Sequence, residues 1–131
     1  MAAIRLTSGQ IPITNDVTID ASALASRIII SGNGNSRVFQ ITPEATVTLN
    51  SLVLASGSVS NDSGGAILNS GQLTVMNCLF TNNTTRGGTG ETPGVFSNGG
   101  PGGGGAGLGG AIFSDGDLLT LTNCLFSDNR A

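Results

Sequence analysis

An internal repeat constrains the fold of this chain more than any other feature. Residues 64–83 read GGAILNSGQLTVMNCLFTNN, and residues 109–129 read GGAIFSDGDLLTLTNCLFSDN. The two segments match almost position for position, with one residue inserted before LTL in the second. A unit of about twenty residues cannot bury an apolar face alone, so repeats of this size fold by stacking on their neighbours.

The positions that both copies share are the candidate structural residues of the repeat. We expect its glycines at turns that need a positive φ or a close backbone approach. We expect its asparagines to stack and to exchange side-chain hydrogen bonds between neighbouring repeats. The shared positions are Gly64, Gly65, Ile67, Asn77, Cys78, Phe80 and Asn83 in the first copy, and Gly109, Gly110, Ile112, Asn123, Cys124, Phe126 and Asn129 in the second.

Weaker copies of the repeat lie upstream. Val17, Val47, Leu73 and Leu119 begin equivalent segments and are 30, 26 and 46 residues apart. The last interval contains a Gly-rich insertion, 84–108, in which eleven of the 25 residues are Gly. Without this insertion the interval falls to 21 residues, close to one compact repeat. We therefore expect a single domain covering the whole chain, with the insertion projecting from its side.

The alternation of apolar and polar residues predicts an all-β chain. Segments such as VTI, VTL, LTV and LTL alternate with period two, and clusters of Gly, Asn, Asp and Ser separate them. Short strands that recur every 21–30 residues predict a right-handed parallel β-helix, a solenoid of about four to five rungs. An antiparallel β-sandwich is the competing fold, but it would not require side-chain identities to repeat.

Equivalent residues of such a solenoid stack in columns, one strand spacing or about 4.8 Å apart. We expect Phe80 and Phe126 to stack in one column with Leu54. We also expect two inward columns, formed by Val17, Val47, Leu73 and Leu119 and by Ile19, Leu49, Val75 and Leu121.

Composition narrows the function classes. The chain has 131 residues with five Arg, no Lys, no His and a formal charge of −3. The lack of His excludes Ser-His-Asp and Cys-His catalysis and His-bearing metal sites, and the lack of Lys excludes Schiff-base chemistry and a Walker-type phosphate loop. Five scattered Arg in an acidic chain argue against a nucleic-acid partner. The apolar runs are too short to span a bilayer.

The paired motifs resemble a known family. GGAI at 64–67 and 109–112, followed by FTNN at 80–83 and FSDN at 126–129, is similar to the repeat of polymorphic outer-membrane proteins. The stretch 4–41 resembles the opening rungs of bacterial surface proteins with pectate-lyase-like β-helices. The resemblance implies a right-handed parallel β-helix outside the cell or on its surface. It implies little about activity, because this fold serves adhesins, phage spikes and polysaccharide-cleaving enzymes alike. The family carries a secretion signal and this chain opens without one, so we expect a processed form or a slice of a longer protein. The alternative is a short protein whose open end is covered by another component.

Cys78 and Cys124 occupy equivalent positions, and they could form either a disulfide or a pair of free thiols. In adjacent rungs their Cα atoms would lie one strand spacing apart, which a disulfide allows and an extracellular setting favours. Side chains of parallel, in-register strands often point the wrong way for that bond, however. The alternative is a stacked pair of buried thiols that act as small apolar groups.

Two further groups of residues are candidate sites. Asp115 and Asp117 are the one close carboxylate pair and could bind Ca²⁺ weakly, although the turn lacks the further oxygen ligands of a defined calcium loop. We expect no other metal and no cofactor. The insertion is a candidate interaction loop or a mobile excursion, and its candidate contact residues are Arg86, Glu91, Val95 and Phe96.

We expect a non-enzymatic, extracellular structural or adhesive protein. A solenoid leaves unpaired strand edges at both ends, and such edges recruit more strand unless they are capped. Head-to-tail self-association into a fibre is therefore one expected form of the function. The first alternative is a glycan- or host-binding segment of a longer autotransporter-type adhesin. The second is a fragment of a polysaccharide lyase or hydrolase, in which Asp115 and Asp117 would converge with Asp128 or an Arg in one groove.

Overall fold

Fifteen short strands wind into a parallel β-solenoid of about three turns. The computed structural model describes residues 1–88 and 107–131. Within those residues there is no helix, and so none that could cross a membrane. The prediction of an all-β parallel solenoid is confirmed.

All fifteen strands are short, between three and five residues. In chain order they are β1 (Ala3–Arg5), β2 (Ile11–Ile13), β3 (Val17–Asp20), β4 (Ile28–Ser31), β5 (Phe39–Ile41), β6 (Thr46–Asn50), β7 (Leu52–Ala55), β8 (Ser58–Ser60), β9 (Ile67–Asn69), β10 (Gln72–Met76), β11 (Leu79–Thr81), β12 (Thr84–Arg86), β13 (Ile112–Ser114), β14 (Leu118–Thr122) and β15 (Leu125–Ser127).

The strands form four parallel sheets, one for each face of the solenoid. Sheet A has the order β1-β4-β7-β11-β15, and sheet B has the order β2-β5-β9-β13. Sheet C has the order β3-β6-β10-β14, and sheet D pairs β8 with β12. The expected count of four to five rungs was slightly too high. Sheets B and C each stack four strands, and four stacked strands span only three intervals.

The register of sheet C places equivalent residues on top of one another. Val47 pairs with Val17 and Leu73, and Leu73 pairs with Leu119. The second inward column follows the same register from Ile19 to Leu121. Both predicted columns are therefore confirmed. Their middle members, Val47, Leu49, Leu73 and Val75, are fully buried.

The inward column of sheet A supplies the largest side chains of the core. Its register stacks Phe126 on Phe80 and Phe80 on Leu54, as predicted. The two phenyl rings are nearly parallel, with their centroids 4.8 Å apart and an interplanar angle of 6°. Ile30 and Ile4 continue the column to the first turn.

Residues with positive φ turn the chain at the corners between sheets C and A. Ser51, Asn77 and Asn123 have φ values of 60°, 54° and 51° and occupy the same place in successive turns. Asn adopts this left-handed conformation more readily than other residues with a side chain, because its amide can hydrogen-bond locally. This is why the repeat has NC at the corner, directly before the strand of sheet A.

The two glycines of each GG pair have different roles. Gly64 and Gly109 have positive φ, 72° and 63°. Gly65 and Gly110 lie where the backbones approach closely: a Cβ on Gly65 would lie 2.1 Å from the carbonyl oxygen of Gly110. A Cβ on Gly110 would lie 2.4 Å from the carbonyl oxygen of Arg130.

Truncation within the sheet A column should destabilise the fold strongly. Leu54→Ala removes a fully buried side chain, so we expect the free energy of unfolding to fall by about 2–5 kcal/mol. Leu24→Ala is the matched control, because Leu24 is 53% exposed and its loss should cost less than about 0.5 kcal/mol. Urea unfolding followed by circular dichroism measures both, and equal losses would contradict the assigned core.

Candidate functional site

A ladder of asparagine side chains runs along the corner between sheets C and A. Asn123 Nδ2 donates to Asn77 Oδ1 at 2.7 Å, and Asn77 Nδ2 donates to Asn50 Oδ1 at 2.9 Å. The ladder therefore joins three successive turns. Asn50 extends it although the sequence alignment pairs that residue with Met76, because the Asn77 amide reaches across to the preceding position.

A second asparagine pair lies inside the solenoid, at the end of the sheet A strands. Asn83 is fully buried. Its Nδ2 donates to Leu54 O at 3.0 Å and to Asn129 Oδ1 at 2.9 Å. Its Oδ1 accepts a hydrogen bond from Gly57 N at 2.8 Å. Asn129 Nδ2 donates to Phe80 O at 2.9 Å. These amides satisfy backbone groups that the interrupted sheet leaves unpaired, which a buried interior requires.

Cys78 and Cys124 are free thiols in the structure. The Cys78 side chain is buried, and its Sγ lies 3.4 Å from Leu52 N and 3.1 Å from Met76 O. Burial raises the pKa of the Cys78 thiol above its ordinary value. A buried, protonated thiol is a poor nucleophile, so Cys78 fits the role of a small apolar group, whereas Cys124 is only partly buried.

Asp115 and Asp117 lie on an exposed turn. Asp115 Oδ1 accepts a hydrogen bond from Ser70 Oγ at 2.8 Å, and the N–H groups of Asp115 and Gly116 donate to Asn69 O. Among residues 1–88 and 107–131, no three His, Cys, Asp or Glu side chains are grouped so that they could bind a metal ion. Weak Ca²⁺ binding at this turn stays a prediction.

The solenoid includes the first three residues of the predicted insertion. Thr84–Arg86 forms β12, and Arg86 pairs with Ser60 of β8 in sheet D. The Arg86 side chain is exposed. The other candidate contact residues of the insertion lie outside the described residues; they are Glu91, Val95 and Phe96.

Sequence reasoning missed a buried arginine that ties three turns together. Arg37 is only 2% exposed. On the side of the later turn, its Nε donates to Gly64 O at 2.9 Å, and its Nη2 donates to Ser63 O at 2.6 Å and to Asp62 Oδ2 at 2.7 Å. On the side of the earlier turn, its Nη1 donates to Gln10 Oε1 at 2.6 Å. The hydrogen bonds thus reach the turn before Arg37 and the turn after it. We call these contacts the Arg37 clamp.

One signal in the sequence could have revealed the Arg37 clamp. By register, Phe39 is equivalent to Ile67 and Ile112, so Arg37 occupies the repeat position of Gly65 and Gly110. A long charged side chain at a position where the two strong copies have glycine, directly before an apolar strand, is an exception to the repeat. Its partners could not be identified, because they belong to other turns.

Two clefts meet beside the Arg37 clamp and form a polar groove. The first, of about 550 Å³, is lined by Gln10, Gly34, Asn35, Ser36, Arg37, Gln40, Ser58, Val59, Ser60 and Asp62. The second, of about 340 Å³, shares Gly34, Ser58 and Ser60 with the first and adds Ser56, Gly57, Asn82, Thr84 and Arg86. Because these residues come from successive turns, the polar groove runs along the solenoid. Asp115, Asp117 and Asp128 do not line it.

The apolar columns are exposed at the first and last turns. At the first turn, an apolar cavity of about 560 Å³ opens between Ile4, Ile11, Val17, Ile19 and Ile30, among other residues. At the last turn the exposed apolar side chains include Leu119 (37%), Leu121 (42%), Leu125 (62%) and Phe126 (43%). We call these two surfaces the first-turn end and the last-turn end.

Comparison with known proteins found no match. No family model, curated protein or solved structure matches this chain. The parallel solenoid stands on the geometry alone, and the resemblance to polymorphic outer-membrane proteins has no support from relatives.

The Arg37 clamp should make stability depend on pH. The hydrogen bond from Arg37 lowers the pKa of the Asp62 carboxyl below its ordinary value of 3.8. A depressed folded-state pKa adds stability that is complete above 3.8 and is lost as the pH falls through the folded-state value. We expect Asp62→Asn to destabilise the fold at pH 7, and the difference from wild type to shrink towards pH 2.

Urea unfolding at both pH values measures this effect. Asp117→Asn is the matched control, because Asp117 is an exposed carboxylate at a turn. We expect the control to differ little from wild type at either pH. An Asp62→Asn difference that stays constant across the range would contradict the role given to Arg37.

Proposed function

We propose that this chain is a non-enzymatic structural solenoid, extracellular or on a cell surface, that associates with second copies of itself end to end. The observation that carries the proposal is the exposure of the core columns at both ends. Val17 and Leu119 are each 37% exposed, whereas Val47 and Leu73, in the same column, are fully buried. A second copy would restore at the ends the burial that the middle turns already have.

The two ends are complementary because they belong to the same columns. A second copy whose β3 lies on β14 places its Val17 beside Leu119 and its Ile19 beside Leu121. In sheet B its Ile11 would lie beside Ile112, since β2 and β13 are the outer strands of that sheet. Every such contact is apolar on both sides, and burial of apolar surface drives association.

The use of polar side chains supports a structural function. The buried asparagines hydrogen-bond to backbone groups or to one another. Asp62, the carboxylate of the polar groove, is paired with Arg37. The carboxylates that a polysaccharide-cleaving enzyme would bring together, Asp115, Asp117 and Asp128, do not line the polar groove.

Self-association should be visible in solution. We expect the 13.0 kDa chain to form larger species as its concentration rises, measured by light scattering and negative-stain microscopy. Leu121→Asp should suppress them, because it places a charge in the apolar last-turn end. Leu24→Asp is the control, since Leu24 is exposed and lies outside the columns. A monomer at every concentration would overturn end-to-end association.

A second candidate function is glycan binding in the polar groove. Its lining is rich in amide and hydroxyl groups, which suit a polyhydroxylated ligand. Arg37 and Asp62 form an ion pair with each other, and the remaining charged residue that lines the two clefts is Arg86. Ser36 Oγ is buried beside the groove and has no hydrogen-bond partner among the described residues. We expect the ligand to be an oligosaccharide that lies along the solenoid.

A glycan array probed with the wild-type protein tests this candidate. The double variant Ser58→Ala and Ser60→Ala should lose binding, because both hydroxyls line the two clefts where they meet. Ser22→Ala is the control, since Ser22 is exposed and lies outside the groove. No binding by wild type, or equal binding by the double variant, would rule the groove out.

A further inference from the structure

Sheet D has an open edge on the side of the solenoid. In the part of the chain that the structure describes, it has two strands, β8 and β12, whereas the other sheets have four or five. The turn before β8 supplies β4 to sheet A and β5 to sheet B. Between these two strands, over residues 32–38, it forms no strand that could pair with β8. The edge of β8 that faces this turn therefore has no neighbouring strand.

A tight turn makes the chain bypass the position of the absent strand. Asn33 and Gly34 have positive φ values, 58° and 72°. Ser36 O then accepts from Ser58 N at 3.0 Å, as the first residue of a parallel strand beside β8 would. The chain leaves the edge directly afterwards, because Val38, two residues later, is fully buried. One hydrogen bond of the missing strand is therefore present, and the others are not.

Three backbone groups of β8 are left at the open edge. In a parallel pair, the backbone groups of successive residues point alternately to the two sides of the strand. Gly57 O accepts from β12 and Asn61 N donates to β12, each at 2.8 Å. Val59 therefore also faces β12, whereas Ser58 and Ser60 face the open edge. Since Ser58 N is already bonded, Ser58 O, Ser60 N and Ser60 O have no backbone partner among the described residues.

The first cleft of the polar groove lies along this edge. Residues 58–60, which form β8, line the cleft together with residues 34–37 of the preceding turn. Its volume is about 550 Å³. The cleft thus occupies the place that a strand of sheet D would fill, between β8 and the turn that bypasses it.

We propose that this cleft binds an extended peptide segment of a partner protein, which pairs with β8 as an added parallel strand of sheet D. In such strand addition, main-chain hydrogen bonds supply affinity and the surrounding side chains supply specificity. The inference goes beyond the functions proposed above. It depends neither on end-to-end association nor on glycan binding.

One peptide in the parallel direction satisfies all three backbone groups. The peptide residue opposite Val59 donates its N–H to Ser58 O, and its C=O accepts from Ser60 N. The peptide residue two positions later donates its N–H to Ser60 O. These bonds follow the alternation of parallel strands.

The lining of the cleft favours a hydroxyl side chain on the peptide. Val59 pairs with Thr85, which is buried, so the peptide side chain opposite Val59 points into the solenoid. A guanidinium has five N–H groups, and four of those of Arg37 have acceptors among the described residues. Ser36 Oγ is buried and has no partner there either. A hydroxyl can bond to both Arg37 and Ser36, whereas an apolar side chain would leave them unsatisfied.

A titration with a synthetic peptide tests the strand pairing. The probe is acetyl-Thr-Ser-Thr-Ser-Thr-amide, in which alternate residues present a hydroxyl to the inside of the solenoid. Added to the isotope-labelled full chain, it should shift the NMR signals of β8 and slow the hydrogen exchange of the Ser60 amide. We expect binding in the millimolar range, because a few hydrogen bonds contribute little net free energy.

Two N-methylated peptides separate strand pairing from contacts of the side chains. Methyl groups on the Thr nitrogens remove the N–H groups that face β8, and they should weaken binding by roughly tenfold or more. Methyl groups on the Ser nitrogens remove the N–H groups that face away from β8. This second peptide is the matched control and should bind as the unmethylated peptide does.

Two variants of the protein make the same distinction. Ser60→Pro removes the N–H that faces the cleft and spares the hydrogen bonds between β8 and β12, so it should abolish peptide binding. The double variant Ser58→Ala and Ser60→Ala changes only side chains and should bind the peptide as wild type does. Because the same double variant is expected to lose glycan binding, it separates a peptide site from a glycan site.

Several results would overturn the proposal. They are an absence of binding by the unmethylated peptide, equal binding by the two methylated peptides, and loss of binding in the double alanine variant. A Ser60 amide that exchanges slowly before any peptide is added would show that the edge is already filled, and it would overturn the proposal as well. If Ser60→Pro does not fold, the two methylated peptides still decide the question.

Discussion

Parallel, in-register pairing is the constraint on which the whole structure depends. Each strand lies directly on its equivalent one turn earlier, so every side chain meets its own repeat position about 4.8 Å away. An apolar position then yields a continuous apolar column, such as the one through Leu54 and Phe80. An asparagine yields a ladder, because its amide can donate to the turn on one side and accept from the turn on the other. The sequence repeats because this register brings each residue next to its equivalent in the neighbouring turns.

That rule also explains how far sequence reasoning could go. The columns of sheets A and C were predictable because residue identity repeats at positions that the register brings together. The count of turns was slightly too high, and β12 was assigned to the insertion, because a three-residue strand of polar residues has no apolar alternation. The Arg37 clamp and the polar groove were missed for a different reason. Both consist of residues that come from different turns and have no equivalent in the other repeats, so no periodic pattern indicates them.

The middle and the ends of the solenoid have opposite characters. In the middle turns, apolar side chains are covered on both sides and buried amides are satisfied. At the first-turn and last-turn ends the same columns continue without cover. The proposal of end-to-end association follows from this contrast, because an open solenoid, unlike a closed barrel, keeps edge strands at both ends of its sheets. The polar groove lies along the side, so a bound glycan and a stacked copy would not compete for one surface.

The Arg37 clamp has a consequence for how the solenoid comes apart. Solenoids unfold approximately as one-dimensional chains, in which each turn interacts with its nearest neighbours. The guanidinium of Arg37 joins Gln10 to Asp62 and so couples three turns through one side chain. The early turns should therefore open as a single cooperative unit. The last turn, Gly109 to Asn129, lies beyond the clamp and should fray first, with amide protons that exchange sooner than those of the clamped turns.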